Sequence, residues 1–300
     1  MRGIITSGLG GLYTVLCDGK TYECRARGSF RHKNFVPLVG DICEISADEK
    51  LGFIITDVLP RKNSLIRPAI SNLDMLVVAF AARSPEPDTL YIDKLIRSAV
   101  YNGIAPAVLI TKSDLDEKKA SELEQTYLSV GIPVFRTSSV TGENVAALRD
   151  FMLCQSDKTF SVAGASGVGK STVINAIFPE LALKTGSISE KTERGRHTTR
   201  AVSLFPLSEL IDGATGFIAD TPGFSMLDFI HFDFLKPDAL PETFPEFEEY
   251  LGKCVWRNCT HTKESGCAIT AAVADGKIAQ SRRESYLKMY EELSKKNFWE

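Results

Sequence analysis

Several features that would place this chain in a specialised class are missing from its 300 residues. No apolar run approaches the ~18 consecutive residues that a membrane-spanning helix needs, and the first residues lack the apolar core of a signal peptide. The formal net charge is only −3, which argues against a uniformly basic nucleic-acid-binding protein but leaves room for a local basic patch. Internal repeats, low-complexity tracts and coiled-coil heptads are also absent. We therefore expect a cytoplasmic monomer with two or three domains and no membrane partner.

The seven cysteines are an odd number and fall into two groups. Four are scattered through apolar or strand-like sequence and are expected to be buried reduced thiols: Cys17, Cys24, Cys43 and Cys154. The other three form a cluster with one histidine in the pattern C-x4-C-x-H-x5-C, made of Cys254, Cys259, His261 and Cys267. Three thiolates and one imidazole suit a tetrahedral Zn²⁺ ion, and four protein ligands leave no open position, so the predicted site is structural. Chance clustering of reduced cysteines is the alternative.

Residues 1–65 consist of short β-like stretches separated by Gly and Asp, which predicts a small all-β barrel. One segment, residues 25–35, interleaves cations with aromatic rings: Arg25, Arg27, Arg31 and Lys33 with Phe30 and Phe35. This composition is typical of a surface that binds an oligonucleotide, where cations contact phosphates and rings stack on bases. A solvated basic loop with two anchoring rings is the alternative.

Strand-like and helix-like segments alternate through residues 73–232, which predicts a doubly wound parallel sheet of the α/β class. Strands are expected near 75–80, 107–110, 133–135, 159–163 and 216–220, with helices over 89–102 and 117–130 and from 143 and 169. Residues 235–300 begin with Pro- and acid-rich sequence, continue through the Cys/His cluster and end in a predicted helix. This last part is therefore expected to be a zinc-binding, mainly helical domain.

The strongest motif is Gly-Ala-Ser-Gly-Val-Gly-Lys-Ser at residues 164–171, a full match to the phosphate loop G-x-x-x-x-G-K-[ST]. Its backbone N–H groups and the helix that follows are expected to hold the β-phosphate. Lys170 would reach the β- and γ-phosphates, and Ser171 would ligate Mg²⁺. The residues predicted to bind the nucleotide here are Gly164, Ala165, Ser166, Gly167, Val168, Gly169, Lys170, Ser171 and Thr172.

The candidate base-reading motif lies before the phosphate loop, whereas an ordinary GTPase has it well downstream. It is Thr111-Lys112-Ser113-Asp114, in which Thr replaces the usual Asn of N-K-x-D. The Asp114 carboxylate could accept two hydrogen bonds from guanine, and the Lys112 stem would pack over the base. Ser138, in Thr-Ser-Ser at the end of the next strand, resembles the short loop that contacts guanine O6. These motifs favour GTP over ATP. Their order is the one expected if the chain of an ordinary GTPase were cut and rejoined at a new point.

The third nucleotide motif is Asp-Thr-Pro-Gly at residues 220–223, which fits D-x-x-G. Asp220 would hold Mg²⁺ through water and the Gly223 N–H would sense the γ-phosphate, although a plain turn has the same composition. Between the phosphate loop and this motif lies a second basic stretch, residues 193–200, that fits a mobile switch segment with a Mg²⁺-ligating threonine. By analogy with other bacterial GTPases we favour Thr199 over Thr198.

The residue after the D-x-x-G motif is Phe224, whereas many GTPases have at this position a glutamine that orients the attacking water. A phenyl ring cannot align water, so we hypothesise that His197 in the switch segment does so. Intrinsic hydrolysis should then be slow and depend on a partner that orders the switch. Measuring partner-stimulated turnover of His197→Ala tests this role.

The permuted motif order, the Arg-Gly-Arg-His-Thr-Thr segment and the Cys/His cluster together resemble the circularly permuted, small-ribosomal-subunit-dependent GTPase A family (RsgA, also called YjeQ or YloQ). The resemblance covers essentially the whole chain. It implies an N-terminal OB-like RNA-binding barrel, a permuted P-loop GTPase domain and a C-terminal zinc domain. It also implies GTP hydrolysis stimulated by the small ribosomal subunit and its rRNA during late subunit maturation. Two other functions remain open from the residues: a stand-alone metabolic ATPase or kinase, and an RNA-binding module with a degenerate nucleotide site.

Overall fold

The computed structural model describes residues 1–32, 34–66, 68–181, 202–220 and 235–295. Its described strands form one sheet of eleven strands and one separate two-stranded pair. The large sheet has two parts, because five strands curl into a barrel and six form a nearly all-parallel sheet. None of the helices formed by the described residues has the length and apolar character that a membrane crossing requires.

The N-terminal barrel confirms the predicted all-β unit. Its strands are β1 (Arg2–Leu9), β2 (Leu12–Cys17), β3 (Lys20–Ala26), β4 (Ile42–Asp48) and β5 (Gly52–Val58). Strands β1–β2, β2–β3 and β4–β5 pair antiparallel, β3 pairs with β5 in parallel, and pairing of β1 with β4 closes the barrel. Apolar side chains from all five strands fill the interior, among them Ile5, Val15, Cys24, Cys43 and Ile55.

The basic segment, residues 25–35, folds differently from a base-stacking surface. It contains a short helix, α1 (Ser29–His32), and the Phe30 ring is only 8% exposed because it packs into the barrel core. Phe35 packs against the same core, with its ring centroid 5.6 Å from that of Phe30 and beneath the Arg61 guanidinium. Arg25 and Arg27 are exposed. These two cations therefore face solvent while the two rings anchor the segment, which favours the alternative interpretation for the rings.

A short linker joins the barrel to the second part of the sheet. It contains the two-stranded pair β6 (Ser64–Leu65) and β7 (Ile70–Ser71). The buried carboxylate of Asp41 ties this linker to the barrel, since Arg61 Nε donates to it at 2.7 Å and Ser71 Oγ donates to it at 2.6 Å. The linker is therefore fixed on the barrel by a satisfied buried charge.

The predicted doubly wound sheet is confirmed over the central part of the chain. Its strands are β8 (Met75–Ala81), β9 (Ala105–Thr111), β10 (Val134–Arg136), β11 (Thr159–Ala163), β12 (Ser203–Pro206) and β13 (Phe217–Asp220). Its helices are α2 (Thr89–Tyr101), α3 (Glu117–Leu128), α4 (Val145–Cys154) and α5 (Lys170–Ile177). The strand order is β10-β9-β8-β11-β13-β12, and only β12 runs antiparallel. Continuous apolar strands such as β8, buried along its whole length, are typical of a sheet covered on both faces.

Strand β12 joins the two parts of the large sheet. Ser203 pairs with Asp220 of β13 on one side and with Ser7 of β1 on the other. The barrel is therefore hydrogen-bonded onto the edge of the parallel sheet rather than connected only through the linker. No sequence motif indicates this joint, because β12 is a four-residue strand that ends in proline.

The scattered thiols divide according to their position in these elements. Cys17, Cys24 and Cys43 are buried in the barrel, as predicted. The expectation is wrong for Cys154, which is exposed. It is the last residue of α4, whose buried face is formed by Leu148 and Met152.

The C-terminal part has its own apolar core. Three short 3₁₀ turns, at Pro237–Ala239, Pro241–Thr243 and Pro245–Tyr250, precede helices α6 (Ala268–Ala274) and α7 (Gln280–Lys295). The core is formed mainly by large side chains from the turns and helices, listed here in chain order: Leu240, Phe244, Phe247, Ile269, Tyr286 and Met289.

A buried charge network attaches this part to the parallel sheet. The Arg282 guanidinium on α7 lies 2.5 Å from Asp93 on α2 and 2.6 Å from Glu246, and all three side chains are almost completely buried. The Tyr127 hydroxyl on α3 donates to Asp93 at 3.1 Å. Burial alone would lower the pKa of Arg282, but the Asp93 and Glu246 carboxylates raise it above its usual value. Arg282 therefore stays charged between the two carboxyl groups, and α7 is held against α2 and α3.

Candidate nucleotide and metal sites

The three nucleotide motifs follow strands whose carboxyl ends lie at the same edge of the sheet. Thr111 ends β9, Gly164 follows β11, and Asp220 ends β13. These strands and β8 are parallel neighbours, so their C-terminal loops converge at one edge. This edge is where ligands bind in open α/β sheets.

The conformation of the phosphate loop depends on its glycines. Gly164 has φ +155°, and a Cβ there would lie 2.0 Å from the Ala79 carbonyl oxygen of the neighbouring strand. Gly167 and Gly169 have φ +77° and +92°, values that other residues rarely adopt. Helix α5 begins at Lys170, directly after the last of these glycines. The loop thus has the strand–glycine loop–helix geometry that directs backbone N–H groups at a phosphate.

Lys170 points back across this loop. Its Nζ donates to the carbonyl oxygens of Gly164 at 2.9 Å and Ala165 at 2.7 Å. Burial lowers the pKa of Lys170 from its ordinary value. The ammonium group therefore lies over the loop, where it could contact a bound phosphate.

The other predicted loop residues divide by exposure. Ser166, Gly167, Ser171 and Thr172 are exposed, so their polar groups are open to a ligand. Val168 is buried and its side chain packs in the core beneath the loop. Only the backbone of Val168 is therefore available to a nucleotide.

The candidate base-reading motif contacts the phosphate loop directly. The Thr111 hydroxyl is directed at the carbonyl oxygens of Val168 and, at 3.2 Å, Phe80. Lys112 Nζ donates to the Gly167 carbonyl oxygen at 2.8 Å and to that of Ser84. Threonine in place of asparagine thus still provides a side-chain donor to the phosphate-loop backbone.

Asp114 lies in a 3₁₀ turn, Ser113–Leu115, immediately after these contacts, and it is exposed. The turn is held against the next loop, since the Ser113 N–H donates to the Thr137 carbonyl oxygen at 3.1 Å. The Ser113 hydroxyl also donates to Glu143 at 3.0 Å. The carboxylate is therefore presented to solvent on a fixed backbone beside the phosphate loop.

Ser138 and its neighbours form the second loop that is predicted to contact the base. The Ser138 side chain is completely buried, and its hydroxyl accepts from the N–H groups of Val140 and Thr141. The serine hydroxyl therefore builds the loop, and any contact with a base would come from the backbone. Glu143, which also lies 3.3 Å from Arg136, braces both loops but was not evident from any sequence motif.

Of the remaining residues that are predicted to act on the nucleotide, the structure describes only one. Asp220 is half-buried at the end of β13, next to β11 and its phosphate loop. His197, Thr198, Thr199 and Gly223 lie outside the described residues, as does Phe224.

The Cys/His cluster comes together as the spacing predicts. The ligand atoms of Cys254, Cys259, His261 and Cys267 all lie within 4.8 Å of one another. His261 Nδ1 is 3.5 Å from the sulfurs of both Cys254 and Cys267. Three thiols and one imidazole directed at a common point are a donor set that fits a tetrahedral metal ion.

The loop that contains this cluster, residues 253–267, is held mainly by hydrogen bonds between groups other than the ligand atoms. We call it the metal knuckle. The Glu264 carboxylate accepts from the backbone N–H groups of Thr260 at 2.8 Å and Thr262 at 2.9 Å. Burial opposes ionisation, but these bonds and that from the Thr260 hydroxyl outweigh it and lower the pKa of Glu264 to about 2. A backbone donor, the Ala268 N–H, lies 3.3 Å from the Cys254 sulfur and would stabilise a thiolate.

Comparison with known proteins gives the family. A model of the RsgA GTPase matches residues 58–230, and a model of the RsgA N-terminal domain matches residues 2–54. The chain belongs to the RsgA GTPase family. A relative from Caldanaerobacter subterraneus subsp. tengcongensis, named small ribosomal subunit biogenesis GTPase RsgA, is 41% identical and aligns over 99% of this chain and 97% of its own length. One of the same name from Clostridium kluyveri is 39% identical over 99% of both chains.

Two solved structures share the whole architecture. YjeQ from Thermotoga maritima superimposes with a TM-score of 0.83 at 33% identity and covers 99% of both chains. YloQ, described as a circularly permuted GTPase, gives a TM-score of 0.76 at 34% identity and covers 98% of this chain and 94% of its own. The fold is thus that of the circularly permuted GTPases of the RsgA family. The metal knuckle lies beyond both matched family models, so its assignment rests on the geometry of its ligands.

Proposed function

We propose that this chain is a GTPase that binds the small ribosomal subunit and acts as a late-stage maturation factor, with hydrolysis stimulated by that subunit. The observation that carries the proposal is the contact between two motifs distant in sequence. Thr111 and Lys112 bond the backbone of the phosphate loop, so Asp114 and Lys170 lie at one edge of one sheet. A single guanine nucleotide would span these motifs. The functional parts would be residues 1–65, 73–232 and 235–300.

The predicted nucleotide-binding residues would have distinct roles. Asp114 would accept hydrogen bonds from guanine, and the backbone of the loop containing Ser138 would contact its O6. Lys170 and the phosphate-loop N–H groups would hold the β- and γ-phosphates. Mg²⁺ would be held by Ser171 and Thr199 and, through water, by Asp220, and would neutralise charge that develops on the phosphates. Gly223 would donate its N–H to the γ-phosphate.

The metal knuckle would bind one structural Zn²⁺ ion. Its donor set of three cysteines and one histidine is typical of closed zinc sites, in which no position is left for a substrate. Zinc would therefore stabilise the fold of the knuckle and take no part in hydrolysis.

The choice of partner is supported by the relatives. Those from Caldanaerobacter and Clostridium are named small ribosomal subunit biogenesis GTPases, and they align with nearly the whole chain. A maturation factor of this kind acts on subunits in the cytoplasm. Exposed arginines on the barrel, such as Arg25 and Arg27, would contact rRNA phosphates.

The deciding experiment measures GTP turnover by the full chain with and without purified small ribosomal subunits. We expect a low intrinsic rate that the subunits raise strongly, since a partner group that completes a GTPase site is worth about 10³- to 10⁵-fold in rate. Excess ATP should not compete, and Lys170→Ala should abolish turnover. Equal rates with and without subunits would contradict the proposed function, while effective competition by ATP would contradict the role of Asp114.

The same assay tests His197 as the residue that orients the attacking water. His197→Ala should lower subunit-stimulated turnover by about 100-fold, the usual scale for losing a positioned catalytic group, with little change in GTP affinity. His197→Gln, which keeps a hydrogen-bonding group, should retain part of the rate. Near-normal turnover of His197→Ala would remove this residue from the mechanism.

A further inference from the structure

The metal knuckle presents an exposed tryptophan. Trp256 and its neighbour Val255 lie between the first two predicted ligands, Cys254 and Cys259, and are 58% and 75% exposed. Most large apolar side chains of the C-terminal part are packed in its core. The exposed indole is thus an apolar surface that a binding partner could cover, because burying it would be favourable.

Hydrogen bonds fix the position of the Trp256 ring. Its Nε1 donates to the Ser265 carbonyl oxygen at 3.0 Å, and the Val255 N–H donates to the Gly266 carbonyl oxygen at 3.1 Å. Gly266 has φ +73°, and a Cβ there would lie 2.6 Å from Val255, so the two arms of the knuckle are in close contact. The polar edge of the indole is thus used internally while much of its surface stays open. A ring held in this way loses little conformational entropy when a ligand stacks on it.

The charges around the ring point to a nucleic acid. Lys253, Arg257 and Lys263 are all exposed in the knuckle. Glu264 is the one acidic residue between positions 252 and 266, and its carboxylate accepts hydrogen bonds from the backbone of Thr260, Thr262 and Lys263. The exposed charged side chains of the knuckle are therefore cationic, and its one carboxylate is half-buried and hydrogen-bonded to the backbone.

We propose that Trp256 is a stacking platform for one unpaired base of rRNA in the small subunit, with Arg257 and the two lysines contacting the phosphates beside it. This inference rests on the proposed function and extends it by assigning the contact with a base to one side chain, that of Trp256. Aromatic rings flanked by cations are the usual means of holding single-stranded nucleic acid, because every base has a face that can stack. Within the knuckle the exposed large apolar side chains are Val255 and Trp256, too few to form the core of a stable protein interface, which buries about 800 Å² per partner.

The first test uses fluorescence of the full chain. Trp256 and Trp299 are the only tryptophans, so Trp299→Phe leaves emission from Trp256 alone. Titration with a single-stranded RNA of about 12 nucleotides, within the range that such sites cover, should quench this emission as a base stacks. Unchanged emission at RNA concentrations that saturate binding would overturn the proposal.

The second test measures affinity for small ribosomal subunits. Trp256→Leu keeps apolar bulk but removes the aromatic face, and we expect binding about 5- to 100-fold weaker, the loss of one stacked base. Trp256→Phe should recover most of the affinity. Tyr101→Leu, which removes an exposed ring on α2, is the matched control and should bind as the wild type does. Metal content and thermal unfolding identify any variant that has lost its fold.

The outcomes separate this inference from the proposed function. If subunits fail to stimulate the wild type, the proposed function is wrong, and so is the stacking role of Trp256 that rests on it. If they stimulate the wild type and Trp256→Leu binds them equally well, only the platform is wrong. If Trp256→Leu binds subunits weakly but RNA does not quench Trp256, the ring contacts a protein and the proposal is also wrong.

Discussion

The barrel and the metal knuckle each contain an aromatic residue among cations, but the two rings have opposite surroundings. Phe30 in the basic segment of the barrel is 8% exposed, whereas Trp256 in the knuckle is 58% exposed. The barrel segment is the one whose composition predicts a base-stacking surface. The structure instead leaves the accessible ring in the knuckle, so cations and rings alternating in a sequence do not by themselves identify a stacking surface.

The difference follows from what holds each region together. The barrel has an apolar interior next to α1, and the Phe30 ring gains free energy by packing there with Phe35. The knuckle is a short loop whose arms are joined by polar contacts and by its four predicted metal ligands. A loop of this kind has no interior large enough for an indole. The ring therefore stays outside, where it is available to a partner.

Metal loss should affect the knuckle more than any single side-chain change affects the barrel. Cys267→Ser should release the metal and disorder the knuckle, because zinc binding contributes on the order of 10 kcal/mol to folding in small zinc domains. Cys154→Ser, at an exposed cysteine outside the cluster, is the matched control and should keep the metal. Metal analysis and hydrogen exchange by mass spectrometry measure both effects. Full protection of residues 253–267 in the metal-free variant would show that the hydrogen bonds alone hold the knuckle.

Local motifs made much of the two candidate sites predictable. A glycine pattern specifies the phosphate loop because each glycine has a local backbone role, such as the approach of Gly164 to Ala79. The metal ligands are similarly defined by their own chemistry and spacing. Long apolar runs such as β8 also predict strands buried on both faces.

Features that depend on distant partners were not predictable. The Thr111 hydroxyl contacts Val168, 57 positions away, and Arg282 pairs with Asp93, 189 positions away. The pairing of β12 with the barrel likewise joins residues that are far apart in the chain. Nothing in the local sequence marks these residues as partners. The orientation of Phe30 belongs to the same class, since only the folded barrel provides the core into which its ring packs.

A smaller effect than that of metal loss is expected on the free energy of unfolding when each ring is removed. Substitution of Phe30 and of Trp256 by alanine compares the two rings directly. Phe30→Ala should destabilise the barrel by about 3 kcal/mol, because it removes a buried ring and leaves a cavity. Trp256→Ala should change stability by no more than about 1 kcal/mol, since it removes one hydrogen bond, that from Nε1 to Ser265, at an exposed position. Hydrogen exchange of β2 and β3 under mild denaturant measures the first value, and exchange of α6 and α7 measures the second. A loss at Trp256 as large as that at Phe30 would mean that the exposed indole supports the fold of the knuckle, and its exposure would then give no reason to assign it to a partner.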